Sequence, residues 1–494
     1  MNNMTNIQKN KNIYKIIVLI LAVLSYGIYL IFINININKD FNYNIIIFLL
    51  NWFGIILYFY TIITWKEIQG EYFSLYTIFI SFLFLFTYGQ CFMWAIGIHI
   101  EGEIGTDLMY YKFDIPTQKD ILTAQAFTLI SIIMFHFGAI LSVRYKRKYN
   151  YIYKENLGEL KIIYYTCLIL SIIIIPYILY SSFKDLSIAM IYGYKSLYYG
   201  DQIDYGASVM GLLSRMFFPC LVGLLIGSKY DKKVQRAVYL IFSFYLIINL
   251  LSGDRGSWIF RIFILAFLSH KFYKRFNIKK ILLYLIFSIF ALYVVQIIVE
   301  FRDIGLSNID TSQIIKILSL KNSPIISSVF EMGSSMTPTI MLQKYGWEIW
   351  PYSNTYILSL LGMITNKLIY ILGLKFELLS SWFSQIYLGI TWGAGFSMPA
   401  EALLNFGPII APIIMSIEGY IITSLININK NVDYKNKPLK VLFSVATLDN
   451  FIRLTRNESH TVIKDWFYGA VILCVFILIL EKIFIRKNYV RNKI

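Results

Sequence analysis

Long runs of apolar residues, each about as long as a membrane-crossing helix, constrain this chain more than any other feature. A helix needs about 20 mostly apolar residues to cross roughly 30 Å of hydrocarbon, and we identify about twelve such runs. They start near residues 13, 44, 73, 121, 162, 207, 237, 256, 281, 399, 440 and 463. Only 15% of positions are charged, which is too few for the surface of a soluble protein of 494 residues. The sequence therefore predicts an all-α, polytopic integral membrane protein.

The distribution of basic residues predicts the orientation of these helices. About half of the 45 lysine and arginine residues lie in five short segments, 144–161, 229–236, 270–280, 429–440 and 486–494. Cytoplasmic loops retain lysine and arginine, so we place these segments and both termini in the cytoplasm. The net charge of +17 then follows from topology, and no nucleic acid partner is needed to explain it.

The same alternation places one long segment, 301–395, outside as a large extracytoplasmic loop that forms a subdomain. Its apolar part, 353–374, would invert every later basic loop if it were a full span. We therefore predict a re-entrant or interfacial helix there, a placement tolerated where protein or a water-filled cavity surrounds it. No repeat or low-complexity linker divides the chain, so residues 1–494 are predicted to form one integral membrane domain.

The four cysteines lie singly in apolar runs, with no paired or metal-ligand spacing. The sequence supports neither a disulfide framework nor a zinc site.

Charged residues at the outer ends of spans are functional candidates, because charge is costly in a membrane unless it lines a protected cavity. In "LLSGDRGSWIFRIF", Arg255 lies at a hairpin tip between Gly253 and Gly256. Glycines allow backbone N–H groups to approach a ligand, and a guanidinium group suits phosphate oxygens. An equally weighted alternative is that Arg255 pairs with Asp254 or a lipid headgroup and only anchors the hairpin.

Four further arginines are predicted to face the same side. Arg261 lies inside the next span and therefore needs a partner or an aqueous cavity. Arg302 follows a long span, and Arg453 and Arg456 lie in "FIRLTRNESH". Together they are suited to neutralising a pyrophosphate, although snorkelling to the interface could explain any one of them.

Two carboxylates are candidates for a general base. Glu401 lies in "FSMPAEALLNFGP", followed by Asn405 and by a helix-bending Gly-Pro pair, and Glu331 lies in "SSVFEMGSSM". A partly desolvated carboxylate at such a position could remove a proton from a sugar hydroxyl. The alternative is an ion pair between Glu401 and an arginine that holds the helix end. His460 is a further candidate base, although a single loop histidine is most often only solvated.

Four motifs follow one another across the C-terminal half: "SGDRGSWIFRIF", "FEMGSSMTPTIMLQKYGWEIWPYSNTYI", "GFSMPAEALLNFGPIIAPIIMSIEGY" and "RLTRNESH". In these motifs the chain resembles the Wzy-type oligosaccharide repeat-unit polymerases, or O-antigen polymerases, of bacterial surface polysaccharide pathways. The first half is similar only as a set of spans. Between its acid and its Asn-Phe-Gly, the stretch "EALLNFG" has no aromatic residue where the family motif often has one, so substrate contacts there are not carried over.

The resemblance implies a glycosyltransferase of the bacterial cytoplasmic membrane that needs no metal and no cofactor. Its substrates would be lipid-linked oligosaccharides, with the growing chain on undecaprenyl pyrophosphate as donor and one repeat unit as acceptor. Membrane lipids and a chain-length regulator protein are the other implied partners. The arginines, Arg255 first, would hold the departing pyrophosphate, and Glu401 and then Glu331 are the implied bases. Asn405 and His460 are assigned to substrate binding.

Two alternatives remain open. An O-antigen ligase shares this chemistry but transfers finished glycan to another acceptor, and the related ligases imply a histidine base, which keeps His460 in consideration. A flippase or other transporter for lipid-linked oligosaccharide is the alternative from a different class. Such carriers usually show internal repeats and charges near the membrane midplane, which this sequence does not.

Overall fold

The computed structural model describes most of the chain. The described residues are 6–34, 42–106, 113–143, 155–192, 209–252, 258–277, 323–390, 393–428 and 436–491, with the single positions 279, 293 and 433. They are helical and contain no β-strand, which confirms the predicted all-α class.

The first half of the described chain forms nine α-helices: α1 Asn6–Asn34, α2 Tyr43–Gln69, α3 Leu75–Ala95, α4 Gln118–Ser142, α5 Leu157–Tyr192, α6 Val209–Ser214, α7 Phe217–Gly227, α8 Lys232–Ser252 and α9 Ile259–Leu268. The second half adds α10 Pro324–Gly333, α11 Thr337–Tyr345, α12 Thr355–Gly362, α13 Lys367–Ile371, α14 Leu379–Ser381, α15 Met398–Ile426, α16 Pro438–Phe451, α17 Ser459–Trp466 and α18 Leu473–Arg491. Short 3₁₀ and π turns connect several of them.

The chain divides into two compact units. The first unit contains residues 1–149, 326–427 and 451–463, and the second contains 150–325, 428–450 and 464–494. The single integral domain proposed from the sequence remains a prediction.

Within the described residues, eight helices are long and apolar enough to cross a membrane: Asn10–Asn34, Tyr43–Gln69, Leu75–Ala95, Gln118–Ser142, Leu157–Ile191, Lys232–Ser252, Met398–Ile426 and Ser459–Ile483. Each corresponds to an apolar run recognised in the sequence. A chain with this many such helices is a polytopic membrane protein.

Three of the other four predicted spans lie within the described residues, and none of the three is a single long helix. The run from 207 divides into α6 and α7 at residues 215–216, and the run from 256 gives α9, which has ten residues before a π turn. The run from 440 corresponds to α16, which ends after 14 residues. The run from 281 lies outside the described residues, apart from position 293. The predicted total of about twelve therefore remains a prediction.

The apolar segment 353–374 is two short helices rather than one long one. Asn354 begins α12, because its side-chain oxygen accepts hydrogen bonds from the backbone N–H groups of Tyr356 and Ile357. The second helix, α13, ends just before Gly373, which has a φ of +71°. Neither α12 nor α13 could cross roughly 30 Å of hydrocarbon, as expected of a segment that does not span the membrane.

The first unit is centred on the packing of α4 against α15. A Cβ atom on Gly138 of α4 would lie 1.7 Å from the carbonyl oxygen of Ser416. On α15, a Cβ atom on Gly419 would lie 2.1 Å from the carbonyl oxygen of Phe135. Small residues that let two backbones approach this closely are typical of helix pairs in membranes. The close contact positions α15, which carries Glu401.

α15 bends sharply at Gly407, where φ is +70° and ψ is 174°. This φ lies in the left-handed region that favours glycine, and the Trp347 ring lies 2.9 Å from the position that a Cβ atom would take. Pro412 has no N–H to donate to the Pro408 carbonyl four residues earlier. The Tyr29 hydroxyl on α1 donates to that carbonyl at 3.2 Å, and the Tyr26 hydroxyl donates to the Ile409 carbonyl at 2.7 Å.

We expect Gly138→Ala to destabilise the protein, because its methyl group would force α4 and α15 apart. Overpacking of this kind costs about 1–3 kcal/mol. The measurement is the thermal unfolding midpoint in detergent. The matched control is Gly27→Ala on α1, where a Cβ atom meets nothing within 4 Å. Equal midpoints for the two variants would contradict the proposed packing constraint.

Candidate functional site

Glu401 lies at the centre of a buried polar cluster in the first unit. Only 1% of the residue is exposed, although it lies in the first turn of an apolar helix. Its Oε1 accepts hydrogen bonds from the hydroxyls of Thr355 and Ser459, each at 2.6 Å. Its Oε2 accepts from the Ser459 backbone N–H at 2.7 Å. Glu401 therefore has hydroxyl and amide partners in place of the arginine that the alternative interpretation expected.

Asn405 braces this arrangement. Its Oδ1 accepts from the Thr355 backbone N–H at 2.8 Å, and its Nδ2 donates to the Thr355 hydroxyl at 2.8 Å. The same Nδ2 donates to the Glu401 carbonyl one helical turn earlier. Because the amide binds protein at both ends, its direct role in this structure is to hold Thr355 against Glu401. Its assignment to substrate binding remains a prediction.

The Glu401 carboxylate keeps capacity for one further donor. An ionised carboxylate has about four acceptor positions, and three are occupied. The unused position is on Oε2, which accepts only the Ser459 N–H. The Ser459 hydroxyl also lies 2.7 Å from the Ser359 hydroxyl, so several exchangeable protons surround the acid. Oε2 therefore has the acceptor capacity for one further hydroxyl donor in addition to the Ser459 N–H.

The turn that carries Arg453 and Arg456 is attached to the start of α15. The Arg456 carbonyl accepts from the Phe396 backbone N–H at 2.8 Å, and the Arg456 guanidinium carbon lies 5.8 Å from the centroid of the Phe86 ring. Both arginines are half-buried. Ser459, which donates twice to Glu401, follows Arg456 by three residues. The two cations and the acid therefore belong to connected backbone segments of one unit.

His460 is buried instead of solvated. It is 5% exposed, and its ring centroid lies 4.2 Å from that of Phe376. Its Nε2 lies 3.2 Å from Oδ1 of Asn366, and its ring also fits against Gly362. His460 directly follows Ser459 in the chain and packs on the end of α12 and the start of α13. Its role as a base remains a prediction.

Glu331 differs from Glu401 in its surroundings. It is exposed near the end of α10. Two residues later, Gly333 packs so closely on α3 that a Cβ atom would lie 2.4 Å from the Gln90 backbone nitrogen. The Glu331 motif and Arg456 thus both contact the α3 segment between Phe86 and Gln90. We keep Glu331 as the second candidate base, because an exposed carboxylate has less reason to be pre-organised for catalysis.

Arg261 lies in the second unit and has the partner that its position requires. Its Nε donates to Oδ1 of Asp449 at 3.0 Å, and its guanidinium carbon lies 5.3 Å from the Phe218 ring centroid. Asp449 is 5% exposed. Removing one partner of such a pair leaves an uncompensated charge and strongly destabilises the folded protein. Its use in substrate binding remains a prediction. Arg255 and Arg302 lie outside the described residues.

Sequence reasoning missed one acid, Glu418, in the interior of α15. Its Oε2 is buried and has no hydrogen-bond partner among the described residues, and the same holds for the Tyr356 hydroxyl. The two groups interact, and burial together with the negative charges of Glu418 and Glu401 raises the pKa of Tyr356 well above its usual value. The available signal was an isolated carboxylate in "MSIEGYII", since ionisable residues inside spans are functional candidates.

The four cysteines are buried and free, and within the described ranges no group of three or more His, Cys, Asp and Glu side chains could hold a metal ion. The fold and the polar cluster define the class of this protein as a polytopic membrane protein with a buried acid near one end of a bent helix. The family model for the O-antigen polysaccharide polymerase Wzy matches residues 14–488, nearly the whole chain, and the chain belongs to that family.

Membership confirms the family resemblance and the function expected from it. The chain polymerises lipid-linked O-antigen repeat units in a membrane, and it is a polymerase by activity. No curated protein and no solved structure matches it.

We expect Thr355→Val to weaken the Glu401 cluster, because valine has nearly the shape of threonine but no hydroxyl. The change removes one donor to Glu401 and the acceptor of Asn405, a loss of about 1–3 kcal/mol when buried groups are left unpaired. The thermal unfolding midpoint in detergent measures the effect. Thr355→Ser keeps the hydroxyl and is the control, so a midpoint as low as that of Thr355→Val would argue against the hydrogen bond.

Proposed function

We propose that the chain joins undecaprenyl-pyrophosphate-linked repeat units on the outer face of the bacterial cytoplasmic membrane, with both termini in the cytoplasm. The growing chain is the donor, and a single lipid-linked repeat unit is the acceptor. An acceptor hydroxyl attacks the anomeric carbon of the donor's first sugar, and the bond to the pyrophosphate oxygen breaks. The observation that carries this proposal is the buried Glu401 carboxylate with one unused acceptor position.

Glu401 is the proposed general base. Its fixed partners hold both oxygens, so little reorganisation is needed when a hydroxyl approaches Oε2. The proton of the acceptor hydroxyl passes to Glu401 as the glycosidic bond forms. Glu331 is the second candidate and His460 the third.

The arginines are proposed to neutralise the departing pyrophosphate. Arg453 and Arg456 are carried by the turn attached to the start of α15, and Arg255, Arg261 and Arg302 remain candidates for the same role from the sequence. Developing phosphate charge in a low-dielectric site responds strongly to pre-organised cations, so this is the largest contribution that we expect to the rate. Guanidinium groups can supply this charge without a metal ion. A chain-length regulator is the proposed protein partner.

We expect Glu401→Gln to lower the rate of polymer formation by about 10²-fold or more, as the loss of a general base does. Arg255→Ala is expected to abolish the ladder of longer glycans as well. The assay is reconstitution with lipid-linked repeat units, followed by analysis of product length. Glu348→Gln, at an exposed position, is the control for the change of acid to amide.

Thr355→Val separates a chemical role of Glu401 from a structural one. It disturbs the same cluster but keeps the acid, so it should retain much more activity than Glu401→Gln at similar stability. Full activity in both Glu401→Gln and Arg255→Ala would overturn the site assignment. Transfer of substrate across the vesicle membrane without any new bond would instead support a flippase.

We expect metal removal to leave polymerisation nearly unchanged, because arginines, in this proposal, perform the charge neutralisation that a metal would otherwise provide. The measurement is the reconstituted rate with and without excess EDTA, and the two rates should agree within about twofold. A loss of activity that added Mg²⁺ restores would refute metal independence.

A further inference from the structure

His99 is an exposed residue held by a buried acid just beyond the C-terminal end of α3. Its side chain is 61% exposed, and its Nδ1 lies 2.7 Å from Oε1 of Glu103, which is only 8% exposed. An ionised carboxylate only accepts hydrogen bonds, so Nδ1 is the donor. The other ring nitrogen, Nε2, lies on the far side of the ring and has no hydrogen-bond partner among the described residues. One side of the imidazole is therefore fixed, and the other side is available to a ligand.

Glu103 is itself held in place by two further donors. Its Oε2 accepts from the Trp94 indole N–H at 2.9 Å and from the Ile100 backbone N–H at 3.3 Å. The acid therefore has a fixed position from which it orients the His99 ring. A carboxylate that holds one imidazole nitrogen while the other faces outward is the arrangement by which proteins orient a histidine toward a substrate or another ligand.

The buried side chain of Gln90 connects this loop with the Glu331 motif. Its Oε1 accepts from the Ile104 backbone N–H at 3.0 Å, and its Nε2 donates to the Phe330 carbonyl at 2.9 Å. The exposed residue Glu331 directly follows Phe330. One amide thus holds the His99 loop, residues 96–106, beside a segment that the sequence had already marked as a candidate for the site. All of these residues belong to the first unit.

α3 also connects the His99 loop with the arginine turn. The Arg456 guanidinium carbon lies 5.8 Å from the centroid of the Phe86 ring. Trp94, which donates to Glu103, follows Phe86 by eight residues, or about 12 Å along the helix. A single sugar ring is shorter than this distance. A ligand that reaches from Arg456 to the His99 loop must therefore contain more than one sugar, as a lipid-linked oligosaccharide does.

The chemistry of the loop favours a neutral, hydroxylated ligand. Residues 96–106 contain Glu101 and Glu103 but no lysine or arginine, so they repel a phosphate group. A hydroxyl group suits the Nε2 of His99 in either protonation state of the ring. Nε2 accepts a hydrogen bond in the neutral ring and donates one in the cation, and a hydroxyl group can do both. Saccharides present many such groups.

We propose that His99 binds a sugar hydroxyl of the lipid-linked repeat unit, beyond the sugar whose bond to pyrophosphate breaks, and that Glu103 positions the His99 ring. This inference rests on the proposed function, because it adds a saccharide contact to the same reaction. The contact is remote from the reacting atoms, so it is equally strong in the ground state and in the transition state. Its loss is therefore expected to raise KM and to leave kcat nearly unchanged.

Substitutions of His99 test the contact in the reconstituted polymerisation assay. Asparagine carries its amide at the position of Nδ1, so His99→Asn can keep the hydrogen bond to Glu103 but loses Nε2. We expect this variant and His99→Ala to raise KM for the repeat unit about three- to tenfold. His99→Gln places an amide nearer to the position of Nε2 and should raise KM less. Glu101→Gln, exposed in the same loop, is the control and should match the wild type.

A second substitution tests whether Glu103 acts through His99. Glu103→Gln should raise KM in the wild-type chain but cause no further rise in a chain that already carries His99→Asn. Its kcat should stay within about twofold of the wild-type value. Thermal unfolding in detergent establishes that each variant is folded. An equal rise in KM in both backgrounds would contradict the positioning role.

Competition experiments identify the part of the substrate that His99 contacts. The free repeat-unit oligosaccharide, without lipid or pyrophosphate, should inhibit the wild type, and its inhibition constant should rise in His99→Asn by the same factor as KM. Undecaprenyl pyrophosphate without sugar should inhibit both proteins equally. The reverse pattern would assign His99 to the pyrophosphate and overturn the proposal.

Two other results would also overturn it: a wild-type KM in His99→Asn, or a fall in kcat at unchanged KM. A wild-type enzyme that forms no linkage at all would instead overturn the proposed function. If only the saccharide contact is wrong, the wild type still forms polymer, so the two failures are distinguishable.

Discussion

The structure of the first unit depends on how it accommodates one buried carboxylate. A charge removed from water costs several kcal/mol unless it is hydrogen-bonded or paired. Glu401 meets this requirement with two hydroxyl groups and one backbone N–H, contributed by residues 46 and 58 positions away in the chain. Three separate segments must therefore converge before the acid is stable. The need to hydrogen-bond Glu401 thus also fixes the positions of α12 and of the turn that carries Arg453 and Arg456.

The sequence was sufficient for the class and the family but not for this convergence. Hydropathy located the eight long helices, because about 20 apolar residues have few other uses in a protein. The same averaging failed at the run from 207, which is divided at Arg215, and Arg215 forms a half-buried ion pair with Asp465. A window average does not register one charge whose partner lies 250 residues later. The sequence shows Glu401 near the N-terminal end of its span but does not reveal its partners.

The partners of Glu401, the burial of His460 and the presence of Glu418 were not predicted correctly, and each has a physical cause. The alternative interpretation places an arginine beside Glu401, because opposite charge is the simplest compensation for a buried acid. The actual donors, Thr355 and Ser459, are ordinary residues whose importance is visible only in three dimensions. His460 was expected to be solvated but packs against Phe376, since a loop residue becomes buried when another hairpin covers it. Glu418 was missed because it is a single carboxylate in the middle of an apolar run, whereas the candidate charges in the sequence lie at the ends of spans.

The N-terminal helix α1 supplies hydrogen-bond donors to the backbone of α15 next to the bend at Gly407. The Tyr29 hydroxyl satisfies the Pro408 carbonyl, which Pro412 leaves without its helical donor, and the Tyr26 hydroxyl adds a second hydrogen bond at the next carbonyl, so α1 supplies polar groups to the interior of a distant helix. A shortened chain that begins after residue 34 would leave the Pro408 carbonyl without its donor. A different first helix could replace α1 without this loss only if it carried a hydroxyl group at the position of Tyr29.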